Sequence, residues 1–269
     1  KQPLETPRFV DKGEVTHSVF RADSLIMEIN SKSGLYPLLA AYNIYRNRLE
    51  AAKEKYGEVG NAFAMQLWDL TIEQNILVVC KTPMARSITR RTLVGFRDTK
   101  VHAEYYKNLI ENISQNSDLV VNTLRDGKNF WGVNENKHMT IDAIIGNPPY
   151  QEEGISTRKA PIYHLFYDLS FRLSDKVSLI TPGRFLFRAG QTPKEWMDKI
   201  LADKHFKVVD YFQKSIDVFP SVDIKGGVVI TYRDAKTEFE PIGFFSEYEE
   251  LKSILQKVLS HQGFVKNEF

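Results

Sequence analysis

The order of segments in this 269-residue chain predicts an α/β fold with a doubly wound, mostly parallel sheet. Short apolar runs that read as buried strands alternate with longer stretches of helical spacing, as strand–helix–strand units require. The length suits one large α/β domain or two modest ones. A composition of 42% hydrophobic and 26% charged residues is ordinary for a globular protein.

Each element has its own signal. "SLIMEI" (Ser24–Ile29) reads as a short buried strand and "NSKSG" as the turn after it. From Leu35 to about Lys55 apolar residues recur at helical spacing, and Tyr56-Gly57 marks the stop. "NAFAMQLWDLTIEQ" is helical and leads into the strand "NILVVC". "ITRRTLVGF" and "HAEYYKNLIENISQ" are read as further helices, before "DLVVNTL", a Gly/Asn-rich loop and the strand "IDAIIG". "IYHLFYDLSFRLS" is a helix, "KVSLITP" a strand, "EWMDKILADK" a helix, and "FKVVDYF" and "GGVVITYRD" strands. "PIGFFS" is a candidate last strand, and "SEYEELKSILQKVLSHQ" an amphipathic terminal helix or the start of another domain.

Composition excludes several function classes. A formal net charge of +2 does not name a partner, so a basic face must come from local clustering. The single cysteine, Cys80, rules out an internal disulfide framework and a cysteine-rich metal site. Within "NILVVCK" it reads as a core residue. The six histidines lack metal-ligand spacing, and His164 reads as structural. No run approaches the roughly 20 apolar residues of a membrane span, and no signal peptide opens the chain. The expectation is a cytoplasmic protein. A first residue of Lys1 suggests a piece of something longer. Gly226-Gly227 reads as a tight turn into "VVITY", and the tryptophans as packing residues, with Trp131 a candidate neighbour of a ligand.

In open α/β sheets, ligands bind beyond the carboxyl ends of the strands. Two such ends carry unusual chemistry here: Glu28–Gly34 and Gly146–Tyr150. The first joins a strand to a helix through Ser, Lys and Gly, and so offers backbone N–H groups and a helix N-terminus. In the second, "NPPY", Asn147 supplies an amide donor and acceptor at the strand tip. Pro148 and Pro149 stiffen the backbone and leave only carbonyls on offer. Tyr150 adds a flat ring. Two rigid acceptors beside a stacking face suit a planar group with an exocyclic NH2.

"NPPY" after an apolar strand resembles the catalytic motif of adenine-specific DNA methyltransferases that use S-adenosylmethionine. The resemblance runs from about Leu25 to Asp234. "LIMEINSKSGLYPL" is similar to that family's cofactor turn, an acidic residue and Pro, then two variable residues and Gly-x-Gly. Glu28 takes the acidic position, Gly34 the final glycine, and Asn30 and Ser31 lie between. "KNFWGV" resembles the family's Asp-Phe segment, with Asn129 and Phe130 as the match. "VSLITPGRFLF" and "DIKGGVVITY" resemble segments of single-chain restriction–modification enzymes, in which a methyltransferase is joined to nuclease and target-recognition domains. The chain departs from the pattern at Lys32, which stands at the first glycine, at Asn129, and in lacking an acidic residue after "NILVVC".

The resemblance implies a Rossmann-like methyltransferase fold with S-adenosylmethionine as cofactor and no metal. Asn147, Pro148, Pro149 and Tyr150 would be catalytic, and Glu28, Asn30, Ser31, Gly34, Asn129 and Phe130 cofactor-binding. The substrate would be double-stranded DNA with one adenine flipped out. Arg158, Lys159 and Arg184 would contact phosphates, while Arg86, Arg90 and Arg91 read as a solvated helix face. Residues 1–240 would form the catalytic domain, and 241–269 an extension leading to a target-recognition domain. Two alternatives remain at this point: a protein-glutamine or RNA amino-methyltransferase, and a non-catalytic module binding DNA or a partner.

Overall fold

The computed structural model describes residues 19–133, 138–151, 160–220, 223–248, 250, 251, 254 and 257. The chain divides into two compact units, Lys1–Ile180 and Thr181–Phe269. The boundary expected near residue 240 lies inside the second.

In the first unit the strands are β1 (Ile26–Ser31), β2 (Ile76–Cys80), β3 (His102–Tyr105), β4 (Ala143–Gly146) and β5 (Lys176–Pro182), which begins in that unit. They run in the order β3-β2-β1-β4-β5, and every adjacent pair is parallel. The chain starts at β1, winds outward through β2 and β3, then returns to the other side of β1 with β4. The β1/β4 junction is therefore the switch point of a doubly wound sheet, as the alternation of segments predicted.

The helices are α1 (Leu35–Tyr56), α2 (Asn61–Asn75), α3 (Pro83–Val94), α4 (Leu109–Gln115), α5 (Ser117–Arg125) and α6 (Tyr163–Leu173). One core layer joins Ile26, Val78 and Cys80 of the strands to Ala40, Ala41 and Ile44 of α1, Ile72 of α2 and Leu93 of α3. The alternate strand residues Met27, Ile29, Leu77 and Val79 are equally buried and belong to the opposite face. Helices α5 and α6 pack on each other and carry their own buried stripes, Val120 and Leu124, and Phe166 and Leu169. Helix starts follow local chemistry. Thr82 accepts a hydrogen bond from the Ala85 N–H at 3.0 Å with Pro83 at the first helical position, and Asn116 accepts from Leu119 N–H at 3.1 Å.

The second unit holds a 3-10 turn at Gly183–Phe187, helix α7 (Lys194–Ala202) and strands β6 (Phe206–Phe212) and β7 (Val228–Asp234), which pair antiparallel. Gly226 and Gly227 have φ of 85° and 70°. A Cβ on Gly227 would stand 2.4 Å from the Phe212 carbonyl oxygen, so this is the tight turn that the sequence indicates.

Two expectations are corrected. "HAEYYKNLIENISQ" is not one helix: its first four residues form β3, and a new helix starts after Asn108 at φ 55°. "HAEY" has little strand signal of its own, and pairing with β2 decides its state. "PIGFFS" forms no strand. Gly243 turns there with φ 55°, and Phe245 packs edge-on against Phe187 and Tyr211. β1 also extends two residues past the expected end, through Asn30 and Ser31.

Candidate active site

Parallel pairing brings the two unusual strand ends together. Ile29 of β1 is in register with Gly146 of β4, so Asn147 emerges beside Asn30. Gly146 permits the approach, because a Cβ there would lie 2.8 Å from the Ile29 carbonyl oxygen. The β1–β2 register slips between Ile29 and Ser31. Asn30 takes up the bulge in a left-handed conformation, φ 65°, one that Asn tolerates better than most residues.

The turn from Ser31 to Gly34 is held from within. Ser31 Oγ accepts the Gly34 N–H at 3.1 Å and lies 3.4 Å from the Thr89 hydroxyl. The Lys81 N–H donates to the Ser31 carbonyl at 2.9 Å, which ties the ends of β1 and β2. Gly34 sits at φ 76°, where a Cβ would meet Thr89 Cγ2 at 3.0 Å, so a side chain is disfavoured twice. Lys32, by contrast, is exposed and is not among the residues with positive φ. The left-handed positions of this turn are 30 and 34, which explains how it accommodates a side chain at 32.

Glu28 and Asn30 are both buried, at 3% and 6% exposure. Among the described residues, Glu28 Oε2 and Asn30 Nδ2 have no hydrogen-bond partner. Burial pushes the Glu28 carboxyl up to about 7, against the pull of its Ser31 hydrogen bond and the Lys32 charge. Unsatisfied buried polar atoms are costly, so these two suit the polar end of a bound cofactor.

Asn129 and Phe130 lie farther along the same edge. The Asn129 backbone N–H and Nδ2 both donate to the Asp126 carboxylate, at 2.8 and 2.6 Å, leaving the amide oxygen for a ligand. These bonds hold the Asp126 carboxyl below its usual range. Phe130 packs on Tyr106, just past the end of β3, with ring centres 5.6 Å apart. β3 is two strands from β1, roughly 10 Å, a span that suits a nucleoside. Trp131 is a core residue, only 2% exposed, whose indole N–H donates to the Leu124 carbonyl at 2.8 Å.

In the tetrad, Pro148 is buried while Asn147, Pro149 and Tyr150 are half-buried. The Asn147 side chain lies close to the hydroxyls of both Tyr36 and Tyr150. The buried Tyr150 hydroxyl completes no aligned hydrogen bond among the described residues. Sequence reasoning missed Tyr36 and Thr89. Tyr36 falls two residues past Gly34 but reads there as one more helix aromatic, and nothing local marks Thr89.

The basic candidates separate. Arg158 and Lys159 lie outside the described residues. Arg184, in the second unit, donates from Nε to the Lys225 carbonyl at 2.6 Å. Arg86 pairs with Glu104 at 3.0 Å, and its Nε bonds the Ala103 carbonyl. Arg90 donates to the Val101 carbonyl, and Arg91 covers the Phe96 ring. Arg86 and Arg90 thus stitch α3 to β3 and the residue preceding it. Burial pushes the Cys80 thiol up to about 12, in keeping with a core residue. Among the described residues no cluster of His, Cys, Asp and Glu could hold a metal, and no helix is long and apolar enough to cross a membrane.

Comparison with known proteins is consistent with this geometry. An adenine-specific methylase of Mycoplasma pneumoniae (strain ATCC 29342 / M129 / Subtype 1) is 32% identical over 95 residues, 34% of this chain. The match spans 22% of that relative's length. Among solved structures, a modification subunit assigned to a type I restriction enzyme of Vibrio vulnificus YJ016 aligns over 90% of this chain and 50% of its own, at 12% identity and a TM-score of 0.47. The 23S rRNA methyltransferase ErmE aligns over 93% of this chain and 76% of its own, at 12% identity and a TM-score of 0.40. The profile of the Eco57I restriction-modification methylases matches residues 74–219, more than half of the chain. With the tetrad at the switch point and more than half its length matched, this chain belongs to the Eco57I restriction-modification methylase family.

Proposed function

We propose that the chain is the catalytic core of an adenine-N6 DNA methyltransferase and part of a restriction–modification enzyme. One observation carries the reading: the Asn147–Tyr150 tip follows β4 directly and stands at the switch point, beside the β1 turn. Family membership implies a methyl donor, and we take it to be S-adenosylmethionine, which supplies an electrophilic methyl on a sulfonium centre. Glu28, Asn30, Ser31 and Gly34 would hold its amino-acid end, and Asn129 and Phe130 its adenine.

The residues' own part follows from the chemistry of the acceptor. An adenine amino group is a weak nucleophile because its lone pair is delocalised into the ring. Asn147 Oδ1 and the Pro148 carbonyl oxygen accept its two N–H bonds, which favours a more tetrahedral nitrogen. The same oriented dipoles meet the positive charge that develops there, an electrostatic stabilisation in place before reaction. Holding the nitrogen in line supplies much of the remaining acceleration. A base inside a duplex cannot reach this tip, so the adenine is flipped out. Tyr150 stacks on it, an interaction of roughly 1–3 kcal/mol.

Partners follow from the same reading. The substrate is double-stranded DNA, with Arg158, Lys159 and Arg184 as phosphate contacts, and target-recognition and nuclease domains belong to the whole enzyme. Such an enzyme works where its DNA is, in the cytoplasm. The test is incubation with S-adenosylmethionine carrying a labelled methyl and adenine-containing duplex, followed by nucleoside mass spectrometry. Labelled N6-methyladenine is expected. Label on a glutamine peptide or on RNA, with none on DNA, overturns the reading.

A further inference from the structure

The edge of the sheet opposite Asn147 holds a cavity of about 710 Å³, within the first unit and at the amino ends of β1 to β4. That volume is in the range of small-molecule sites. Leu77 of β2 and His102 of β3 are partners in the parallel register, so their side chains share one face of the sheet. Both line the cavity, with Leu25, Val133 and Met139. Among these apolar residues His102 is the polar exception, and it is only 5% exposed. Its Nδ1 lies 2.7 Å from the Trp131 carbonyl oxygen. A carbonyl only accepts, so Nδ1 carries the proton and the neutral ring presents a lone pair at Nε2. Burial lowers the pKa of the imidazole, which keeps that lone pair available near neutral pH.

We infer that this cavity is a second, small-molecule site: it takes an uncharged ligand whose apolar body covers Leu25, Leu77 and Met139 and whose single N–H or O–H donates to His102 Nε2. Nε2 has no hydrogen-bond partner among the described residues, and it is not sealed in as Glu28 Oε2 and Asn30 Nδ2 are. Its partner's place is therefore in the cavity. A bare acceptor among apolar side chains costs free energy, and a donor on an apolar body supplies the bond while keeping the floor dry. The rim decides the charge. An anion would meet Asp23, Glu73 and Asp142 there, opposed by Lys100 and by the Arg21 that bridges the two aspartates at 3.0 and 3.5 Å. A cation would lose its hydration against the floor. An uncharged ligand avoids both costs. The site uses neither the tetrad nor the β1 turn, and so stands independently of the adenine reading.

The test uses this chain with 15N-labelled histidine and two probes of one shape, indole and indene, of which only indole has an N–H. His102 is identified by the resonances missing from H102Q. Titration with indole should move the His102 Nε2 resonance saturably, with Nδ1 still protonated and the other histidines unmoved. Calorimetry should show indole binding roughly three- to tenfold more tightly than indene, the size of one neutral hydrogen bond. Where H102Q does not fold, electron density for indole in crystals of the unchanged chain locates the probe instead, and it should lie against His102. An unmoved Nε2 resonance, equal affinity for the two probes, or density outside the cavity overturns the site. So does the absence of indole binding up to its solubility limit.

Discussion

At the scale of the residue, the tetrad and Glu28 make the sharpest predictions. On the proposed mechanism, Asn147→Ala removes a preorganised acceptor from the reacting nitrogen. Methyl transfer should fall by at least about a hundredfold, with the thermal midpoint unchanged because Asn147 is only half-buried. Single-turnover assays and calorimetry on the same sample check this, and substantial residual transfer would refute the clamp. Tyr150→Ala removes the stacking face but no group assigned to the cofactor. Duplexes with 2-aminopurine at the target base should show weakened flipped-base binding, while S-adenosylmethionine affinity holds.

Glu28 yields a pH dependence whose sign can be worked out. Burial raises its carboxyl from the ordinary 4.5 to about 7 in the folded chain, so the folded state binds a proton more tightly than the unfolded one. Stability from this group is full below about pH 4.5 and declines as pH rises toward about 7, then levels. Glu28→Gln removes the ionisable group. Urea unfolding across this range should show the variant more stable than wild type at pH 8, by on the order of 3 kcal/mol. It should also bind the methyl donor more weakly, because an amide replaces the carboxylate at the cofactor end. Parallel pH profiles for the two proteins would contradict this account.

At the scale of the element, two glycines set the distance between the parts. Gly146→Ala pushes a methyl against the Ile29 carbonyl and must part β1 from β4. A loss of about 1–3 kcal/mol in denaturant titration is expected, with slower transfer because the tetrad moves off the β1 turn. Gly34→Asp strains the left-handed cap and collides with Thr89. Calorimetric titration should show S-adenosylmethionine binding lost in a chain that still folds; undiminished binding would remove Gly34 from the site. The β1 turn also shows how the backbone accommodates a side chain where the resembled pattern has a glycine. Lys32 is exposed and free of the positive-φ requirement, since Asn30 and Gly34 carry it.

At the scale of the whole molecule, DNA affinity should come from a few basic side chains and not from net charge, which is only +2. Fluorescence anisotropy at rising salt should give a linear log–log fall whose slope counts the phosphates neutralised. Arg184→Ala should reduce that slope by about one. An unchanged slope would mean that its bond to the Lys225 carbonyl exhausts its role.

Much of this molecule was legible in the chain alone. Alternating apolar runs and helical stretches determined the doubly wound, mostly parallel sheet, because a strand buried on both faces and an amphipathic helix leave different periodicities. "NPPY" after a strand determined the candidate tip, because proline and amide chemistry are local. β3 was hidden, since "HAEY" becomes a strand only by pairing with β2. The roles of Arg86 and Arg90 were equally hidden: carbonyls that accept their bonds lie on or beside another element. Tyr36, Thr89 and the bulge at Asn30 stayed invisible for the same reason. Sequence determines what a residue can do through its own chemistry and its spacing along one element. Only the tertiary structure decides which strand ends become neighbours, and here the parallel register of Ile29 with Gly146 brought two separate motifs together as one candidate site.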